Sequence, residues 1–171
     1  MLRASIAVLA LLSACDGSVR REGPPQAEFQ LVRVDSTHNR RWVLEMDALT
    51  VYDDLNRRRL RRLVLPDWAL AGPRDACAPD MVLDRNGAAY VSSNVLPILW
   101  RIDPARFEIT RIALDANTDK DIGFTGLKFA GEGVLVANGT TVASQWRIDL
   151  RSARATLVGQ QAGQRPCMLD G

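Results

Sequence analysis

Two stretches of this sequence repeat one pattern. Residues 80–94 read DMVLDRNGAAYVSSN and residues 126–140 read GLKFAGEGVLVANGT. The tetrapeptide WRID follows each stretch, at Trp100–Asp103 and at Trp146–Asp149, and both matches have the same offset of 46 residues. Self-similarity at a fixed period of about 20 to 50 residues is typical of chains built from stacked copies of one structural unit.

Each copy predicts four short strands. An apolar run, a glycine turn at Gly87 or Gly133, a second apolar run, the WRID strand and a closing strand such as Phe107–Leu114 follow one another. An earlier copy is indicated by TVYD at Thr50–Asp53, preceded by one stray strand near Phe29–Val34.

Four strands in about 46 residues form the unit of a β-propeller blade. The sequence therefore predicts an all-β, propeller-like array of about three four-stranded blades over residues 29–171, with an unrelated β-sandwich as the alternative. RPCMLDG at Arg165–Gly171 is similar to the start of another blade. Propellers usually have at least about four blades. We therefore expect either a truncated propeller, a ring completed by a second copy, or an open sheet array.

The residues from Ala78 to Leu114 resemble blades of the NHL, YVTN and gluconolactonase-like β-propellers, and Phe124–Gly159 resembles them less closely. The shared pattern is Pro-x-x-apolar-x-x-Asp-x-x-Gly-x-x-Tyr-Val, followed by an apolar-Arg-apolar-Asp strand, as in APDMVLDRNGAAYVSS and LWRIDP. For the lactonase-like members, the resemblance implies a divalent metal held by Glu, Asn and Asp at the propeller mouth. Asn94 and Asn138, near the ends of second strands, are the candidate mouth residues, but no Glu matches the family.

The amino-terminal residues have the features of a bacterial export signal. A short basic start precedes the apolar run IAVLALL at residues 6–12, which is shorter than the roughly 20 residues of a membrane span. Leu12–Cys15 (LSAC) resembles the lipobox of bacterial lipoproteins, which implies cleavage after residue 14 and lipidation of Cys15. A plain signal peptide with an incidental cysteine is the alternative.

The lipobox resemblance predicts three segments: a lipoprotein signal peptide at 1–14, a lipidated cysteine with a flexible tether at 15–28, and the β domain. The tether is rich in Gly, Pro, Ser and charge and has no apolar period. We expect a protein anchored in the bacterial cell envelope and facing the periplasm, and Asp16 favours the inner membrane over the outer.

Cys77 and Cys167 remain once Cys15 carries lipid. Cysteine pairs commonly form disulfides in an oxidising compartment, and both residues precede the first strand of a repeat unit. A Cys77–Cys167 disulfide is therefore predicted, with two separate thiols as the alternative, because non-adjacent blades need not bring the cysteines within about 7 Å.

The loop DANTDKDIG places oxygen ligands at every second position, at Asp115, Asn117, Asp119 and Asp121. This spacing suits calcium and resembles an EF-hand loop. However, Lys120 occupies the glycine position and Gly126 the position of the bidentate Glu. A solvated loop is favoured, and calcium or another divalent metal is the alternative.

The charge pattern limits the function classes. A net charge of +2 argues against nucleic-acid binding. The basic run RRRLRRLVL at Arg57–Leu65 predicts either a helix or an outer strand. Its arginines, Arg57–Arg62, either face water or contact anionic lipid. We expect the four tryptophans to pack between blades rather than to bind a ligand, and these are Trp42, Trp68, Trp100 and Trp146.

No Ser or Cys is arranged with the single histidine, His38, as a catalytic triad would require. His38 lies in DSTHNRR, a polar segment expected before the first blade, and a solvated surface position is expected for it. The sequence favours a non-catalytic envelope lipoprotein whose blades bind or scaffold another molecule. Its expected partners are the membrane, an envelope protein and a second copy of the chain. The alternative is a metal-dependent, gluconolactonase-like hydrolase or a fragment of one.

Overall fold

A computed structural model describes residues 29–68, 77–118 and 122–160. The described residues form three four-stranded antiparallel sheets, each with its strands side by side in chain order. Blade 1 consists of β1 (Leu31–Asp35), β2 (Arg40–Leu44), β3 (Leu49–Asp53) and β4 (Arg59–Leu63). Blade 2 consists of β5 (Met81–Leu83), β6 (Ala89–Ser92), β7 (Ile98–Ile102) and β8 (Ile109–Ala113). Blade 3 consists of β9 (Phe124–Gly131), β10 (Val134–Gly139), β11 (Ser144–Asp149) and β12 (Arg154–Gln160). The predicted all-β, propeller-like array of three four-stranded blades is confirmed.

The first strands of the three blades adjoin one another. β1 contacts β5, and β5 contacts β9, so the first strand of each blade lies innermost and the fourth lies at the outer edge, as in a propeller. The strand predicted to be a stray one near Phe29–Val34 is β1, the inner strand of blade 1. That prediction was wrong because the first blade lacks the glycine turn that marks the later copies.

Two hydrophobic cores hold the blades together, one in each gap between neighbours. Between blades 1 and 2, Trp42 and Trp100 are fully buried, and Trp68 meets Trp100 edge to face with ring centroids 5.3 Å apart. Between blades 2 and 3, Trp146 meets Phe124 at 5.9 Å. The tryptophans therefore pack between blades, as predicted. Blade 2 is covered on both faces, and each outer blade also has a distal face, turned away from blade 2.

The strongest structural repeat is the turn between the third and fourth strands. Asp53, Asp103 and Asp149 each accept hydrogen bonds from the second and third amides that follow, at 2.9–3.3 Å. The residue four positions after each aspartate has a positive φ, and these residues are Arg57 (60°), Phe107 (59°) and Ala153 (52°). The recurring Asp of WRID is thus a turn residue, because its carboxylate caps amides that the strand ladder leaves unpaired.

The glycine turns share one geometry as well. Gly87 and Gly133, which the offset of 46 aligns, have φ values of 79° and 70°, a region that L-residues rarely adopt. Gly87 also has close neighbours, since a β-carbon there would lie 2.5 Å from Oδ2 of Asp35. These turns lie at one end of the blades, the turn end. The loops between second and third strands and the connectors between blades lie at the other, the connector end.

The connectors bind the outer strand of the next blade. Asp67, after β4, forms a 3.1 Å ion pair with Arg111 of β8. Asp115, after β8, forms a parallel bridge with Arg154 of β12 and exchanges backbone hydrogen bonds with Ala153 and Ala155. Each blade is therefore linked to its successor at its outer edge as well as through the core.

Candidate functional site

Asp80 lies at the centre of the array, where the three inner strands meet. Its Oδ1 accepts the amide of Met81 at 2.7 Å and Nη2 of Arg33 in β1 at 2.9 Å. Its Oδ2 accepts the amide of Leu127 in β9 at 2.7 Å. One buried carboxylate thus joins all three blades. Because both oxygens are engaged by donors of the protein itself, the arrangement suits a structural clamp better than a general base.

A second polar network lies at the connector end, and it includes the predicted mouth residue Asn94. Asn94 follows β6, is only 2% exposed, and donates from Nδ2 to the carbonyl of Cys77 at 2.9 Å. The backbone carbonyl of Asn94 accepts a hydrogen bond from Oγ1 of Thr140 at 2.8 Å. Oγ1 of Thr140 in turn accepts a hydrogen bond from the amide of Gly123 at 3.1 Å. Asn94 therefore secures the connectors, and its side chain is not directed to solvent as a mouth ligand would be.

Asn138 lies elsewhere, within β10 on the distal face of blade 3. It is paired with Thr125 and Gln145 on the neighbouring strands. Its side chain approaches Gly126, where a β-carbon would be 2.9 Å from the amide nitrogen of Asn138. The structure does not bring Asn94 and Asn138 together. By the offset of 46, Asn138 corresponds to Ser92, which bonds the inner strand through Asp80.

A side-chain pair at the turn end was not predicted from the sequence. Nδ1 of His38 lies 2.7 Å from Oδ2 of Asp35, and Asp35 is only 7% exposed. His38 is exposed, so the expected surface position is confirmed. It belongs to the β1–β2 turn of blade 1, however, and not to a segment before the first blade. Its spacing in DSTH, with Asp three residues before His, was the available signal.

The Asp35–His38 pair resembles two members of a catalytic triad, in which a carboxylate orients an imidazole. Among the described residues, no hydroxyl or thiol forms a hydrogen bond with this imidazole. The close approach of Gly87 instead places the pair against blade 2. Its supported role is to join the turns of blades 1 and 2.

Cys77 is buried at the connector end, with Sγ 3.7 Å from the carbonyl oxygen of Thr140 in blade 3. It therefore reaches past its own blade toward the next one. Cys167 lies outside the described residues, as does Cys15. The Cys77–Cys167 disulfide stays a prediction.

The predicted calcium loop is only partly described. Oδ1 of Asp115 accepts the amide of Asn117 at 3.2 Å, so this carboxylate supports a local turn. Asp119 and Asp121 lie outside the described residues. Within residues 29–68, 77–118 and 122–160, no three or more His, Cys, Asp or Glu side chains cluster as a metal site would require.

The basic stretch forms the outer edge strand of blade 1, which decides between the two predictions for it. Residues 59–63 are β4, and a strand edge bearing arginines resists pairing with other chains. Arg57 is paired with Asp54 at 3.1 Å and Arg62 with Asp47 at 2.5 Å. The structure shows the strand, and contact with anionic lipid stays a prediction.

Two aspartates of the recurring turn have perturbed acidity. The amides of Arg106 and Ala105 donate to Asp103 and hold the pKa of its carboxyl below the usual value, and nearby arginines act in the same direction. The amides of Ser152 and Arg151 lower the pKa of Asp149 in the same way. Both carboxylates are charged at neutral pH and serve the turns that contain them.

A cleft of about 440 Å³ opens between blades 2 and 3 at the turn end. Tyr90 and Phe129 meet edge to face in its wall, with ring centroids 5.7 Å apart. Its other lining residues belong mostly to the glycine turns, including Asp84, whose Oδ1 accepts the amides of Asn86 and Ala88. The cleft is large enough for a small polar molecule, and Oδ1 of Asp84 is already bonded to amides of the turn.

No helix among the described residues combines the length and hydropathy of a membrane span. The sequence matches no protein-family model, and no curated protein is significantly similar to it.

Proposed function

We propose that this chain is a lipid-anchored protein of the bacterial cell envelope whose blades form a non-catalytic binding or scaffolding module. The anchor is Cys15 of the LSAC motif, and residues 16–28 are the tether. Multiple acyl chains hold a protein on a membrane stably, because each buried methylene contributes about 0.8 kcal/mol. Asp16 supports the inner membrane as the location.

One observation supports a non-catalytic binding or scaffolding module: the polar side chains buried at the centre and at the connector end form hydrogen bonds that join the blades. Asp80 links three strands, and Asn94 and Thr140 link two connectors. A network of this kind stabilises one arrangement of the sheets. Such a rigid array presents its surfaces in fixed positions, which suits binding or scaffolding.

The alternative is the metal-dependent, gluconolactonase-like hydrolase. That activity needs oxygen ligands free to face the centre of the ring. Asp80 is placed there, but donors of Arg33, Met81 and Leu127 bond its oxygens. Asn94 donates to a backbone carbonyl. These engagements favour the binding module.

The proposed partners are the membrane, through lipid, and an envelope protein, through a blade surface. A second copy of the chain is the weaker candidate: two sets of three blades would make a six-bladed ring, within the usual range of about four to eight, but the two faces that would meet carry no complementary charge. Light scattering of the full chain in detergent distinguishes a dimer from a monomer.

The anchor is tested by the Cys15→Ser substitution. We expect the native chain to fractionate with membranes and to incorporate a labelled fatty acid, and the variant to lose both properties because it lacks the acceptor thiol. Cys77→Ser is the matched control, since it removes a cysteine but leaves the lipobox intact, and it should stay with the membrane. If the Cys15→Ser chain still carries the label, the lipobox assignment is wrong.

A further inference from the structure

The same face of the repeat differs between blades 2 and 3. Blade 2 turns Tyr90 and Leu99 toward blade 3, where they are buried, with Val82 packed beside them. The offset of 46 aligns Tyr90 with Val136, Leu99 with Gln145 and Val82 with Lys128. The three aligned residues are all exposed on the distal face of blade 3. A face built to receive another blade of this repeat would keep apolar residues there, because a close-packed interface excludes water.

The distal face of blade 3 is cationic. Lys128 of β9, Val136 of β10, Arg147 of β11 and Thr156 of β12 stand opposite one another in a row across the sheet. With neighbouring strands about 4.8 Å apart, the two cations of this row are roughly 10 Å apart. Arg154, in the next row, adds a third cation.

These cations form no ion pair with acids of the described residues, although Asp149 acts electrostatically on Arg147 and Asp115 forms a backbone bridge with Arg154. Within the part of the chain that the structure describes, no carboxylate forms an ion pair with Lys128, Arg147 or Arg154. The carboxylate in the Arg154 row, Asp149, accepts the amides of Arg151 and Ser152. Polar side chains continue the face in a parallel row, formed by Thr125, Asn138 and Gln145.

A second copy of the chain is a poor match for this face. Closing a ring would place the distal face of blade 1 against it, and that face carries Val32 and Val34 together with arginines of β2 and β4. The acids beside it are already paired, Asp54 with Arg41 at 2.8 Å and Asp47 with Arg62 at 2.5 Å. Acids that are already paired attract the cations of blade 3 only weakly, and Arg59 of β4, opposite Tyr52 on that face, adds like charge that disfavours such docking.

A lipid surface is also a poor match. Membrane-surface elements combine cations with aromatic or long apolar side chains that insert among the acyl chains. The apolar side chains near the cations here are valines, which are neither aromatic nor long: Val136 is 37% exposed, Val158 is 65% exposed, and Val134 is half-buried. The parallel row of this face consists of a hydroxyl and amides. Side chains of that kind form directional hydrogen bonds with peptide groups and carboxylates.

We propose that the distal face of blade 3 binds an acidic protein surface, with carboxylates of the partner paired to Lys128 and Arg147 and its polar groups bonded to Asn138 and Gln145. The inference rests on the proposed function, because it names the surface and the partner chemistry of the binding module.

The test is fluorescence anisotropy with the full chain in non-ionic detergent. The probes are labelled peptides of alternating Glu and Thr, with Gln-Thr and Lys-Thr peptides as controls. We expect the Glu-Thr peptide alone to bind, and added salt to weaken it because exposed charges are screened. The double variant Lys128→Glu, Arg147→Glu should lose about tenfold or more in affinity, since two attractive pairs become repulsive.

The matched control is Arg58→Glu, Arg61→Glu, which makes the same charge change beside and within β4 of blade 1, and it should keep the native affinity. Equal loss in both double variants would show a non-specific charge effect and overturn the proposal. So would equal binding of the Glu-Thr and Gln-Thr peptides. Both substituted pairs are exposed, so an unchanged melting temperature should accompany either result.

The other occupants give distinct results, each of which overturns the proposal. If glycerol phosphate binds in a manner that depends on Lys128 and Arg147 while the acidic peptide does not bind, the ligand is a lipid headgroup. If light scattering shows a dimer that the Lys128→Glu, Arg147→Glu variant dissociates, the occupant is a second copy. Loss of fatty-acid labelling would refute the anchor and leave peptide binding unaffected, so the two failures can be told apart.

Discussion

Blades 2 and 3 have the same strand order and the same turns, yet the same face of each has a different character. On blade 2 the face is apolar and covered by blade 3, and on blade 3 it is cationic and exposed. The backbone pattern is therefore independent of what covers the sheet. Side chains at the facing positions follow the environment, because an unpaired polar group in a packed interface costs about 1–3 kcal/mol and one in water costs nothing.

The contrast between the two faces is tested most directly by exchanging the side chains at one aligned pair, Leu99 of blade 2 and Gln145 of blade 3. Leu99→Gln places an amide in the core between blades 2 and 3, where Leu99 is fully buried, and should lower the free energy of unfolding by about 3 kcal/mol or more. Gln145→Leu, at the aligned and exposed position, should change it by less than about 0.5 kcal/mol. Urea denaturation of both variants provides the measurement.

Similar losses from the two substitutions would mean that the distal face of blade 3 is packed like the interior, which would contradict the comparison. A large loss of unfolding free energy from Gln145→Leu alone would mean that the face of blade 3 is the packed one and that of blade 2 is not.

A second variant separates core packing from the central clamp. Asp80→Asn removes the charge that joins Arg33 and the amide of Leu127, and should cost about 2 kcal/mol because one buried donor is left poorly paired. Asp67→Asn, which affects an exposed ion pair with Arg111, is the control and should cost under about 1 kcal/mol. A loss for Asp80→Asn as small as the control's would show that the interface core alone holds blade 3.

The smallest effect concerns the turns, which the two blades share. The folded-state pKa of Asp103 and Asp149 is lowered by backbone amides, so each charge stabilises the fold above about pH 4 and loses this effect as the pH falls through the lowered value. Asp103→Asn and Asp149→Asn keep a carbonyl acceptor but cannot titrate. Both should flatten the acid side of the melting-temperature profile equally, because the turns are alike.

Glu132→Gln, at an exposed position in the β9–β10 turn, is the control and should leave that profile unchanged. If only one of the two aspartate variants flattens the profile, the turns of blades 2 and 3 are not equivalent in energy.

Much of the fold was predictable because it rests on short-range patterns. The 46-residue repeat predicted the strands of blades 2 and 3, and the tryptophans were correctly assigned to the core. Blade 1 was recognised only in part, since its first turn has Asn39 at positive φ where the other blades have glycine. That turn also contains His38, which explains why the residue was expected before the first blade rather than within it.

The candidate site residues were harder to predict, because sequence position does not show which neighbour uses a side chain. Asn94 and Asn138 have similar positions near the ends of second strands. Asn94 nevertheless donates its side-chain hydrogen bond to the carbonyl of Cys77 in a connector, whereas Asn138 lies on the distal face of blade 3. Asp80 was known only as part of a repeat, and its contacts with β1 and β9 bridge 47 residues in each direction.

Short-range sequence patterns specify where strands and turns occur, because alternation of apolar residues, glycines at positive φ and capping aspartates act over a few residues. The packing of the blades, in contrast, specifies which faces are covered, which polar groups bond between blades, and which cations form no ion pair. Those outcomes depend on contacts between residues far apart in the chain, and burial changes the free energy of the same side chain by several kcal/mol.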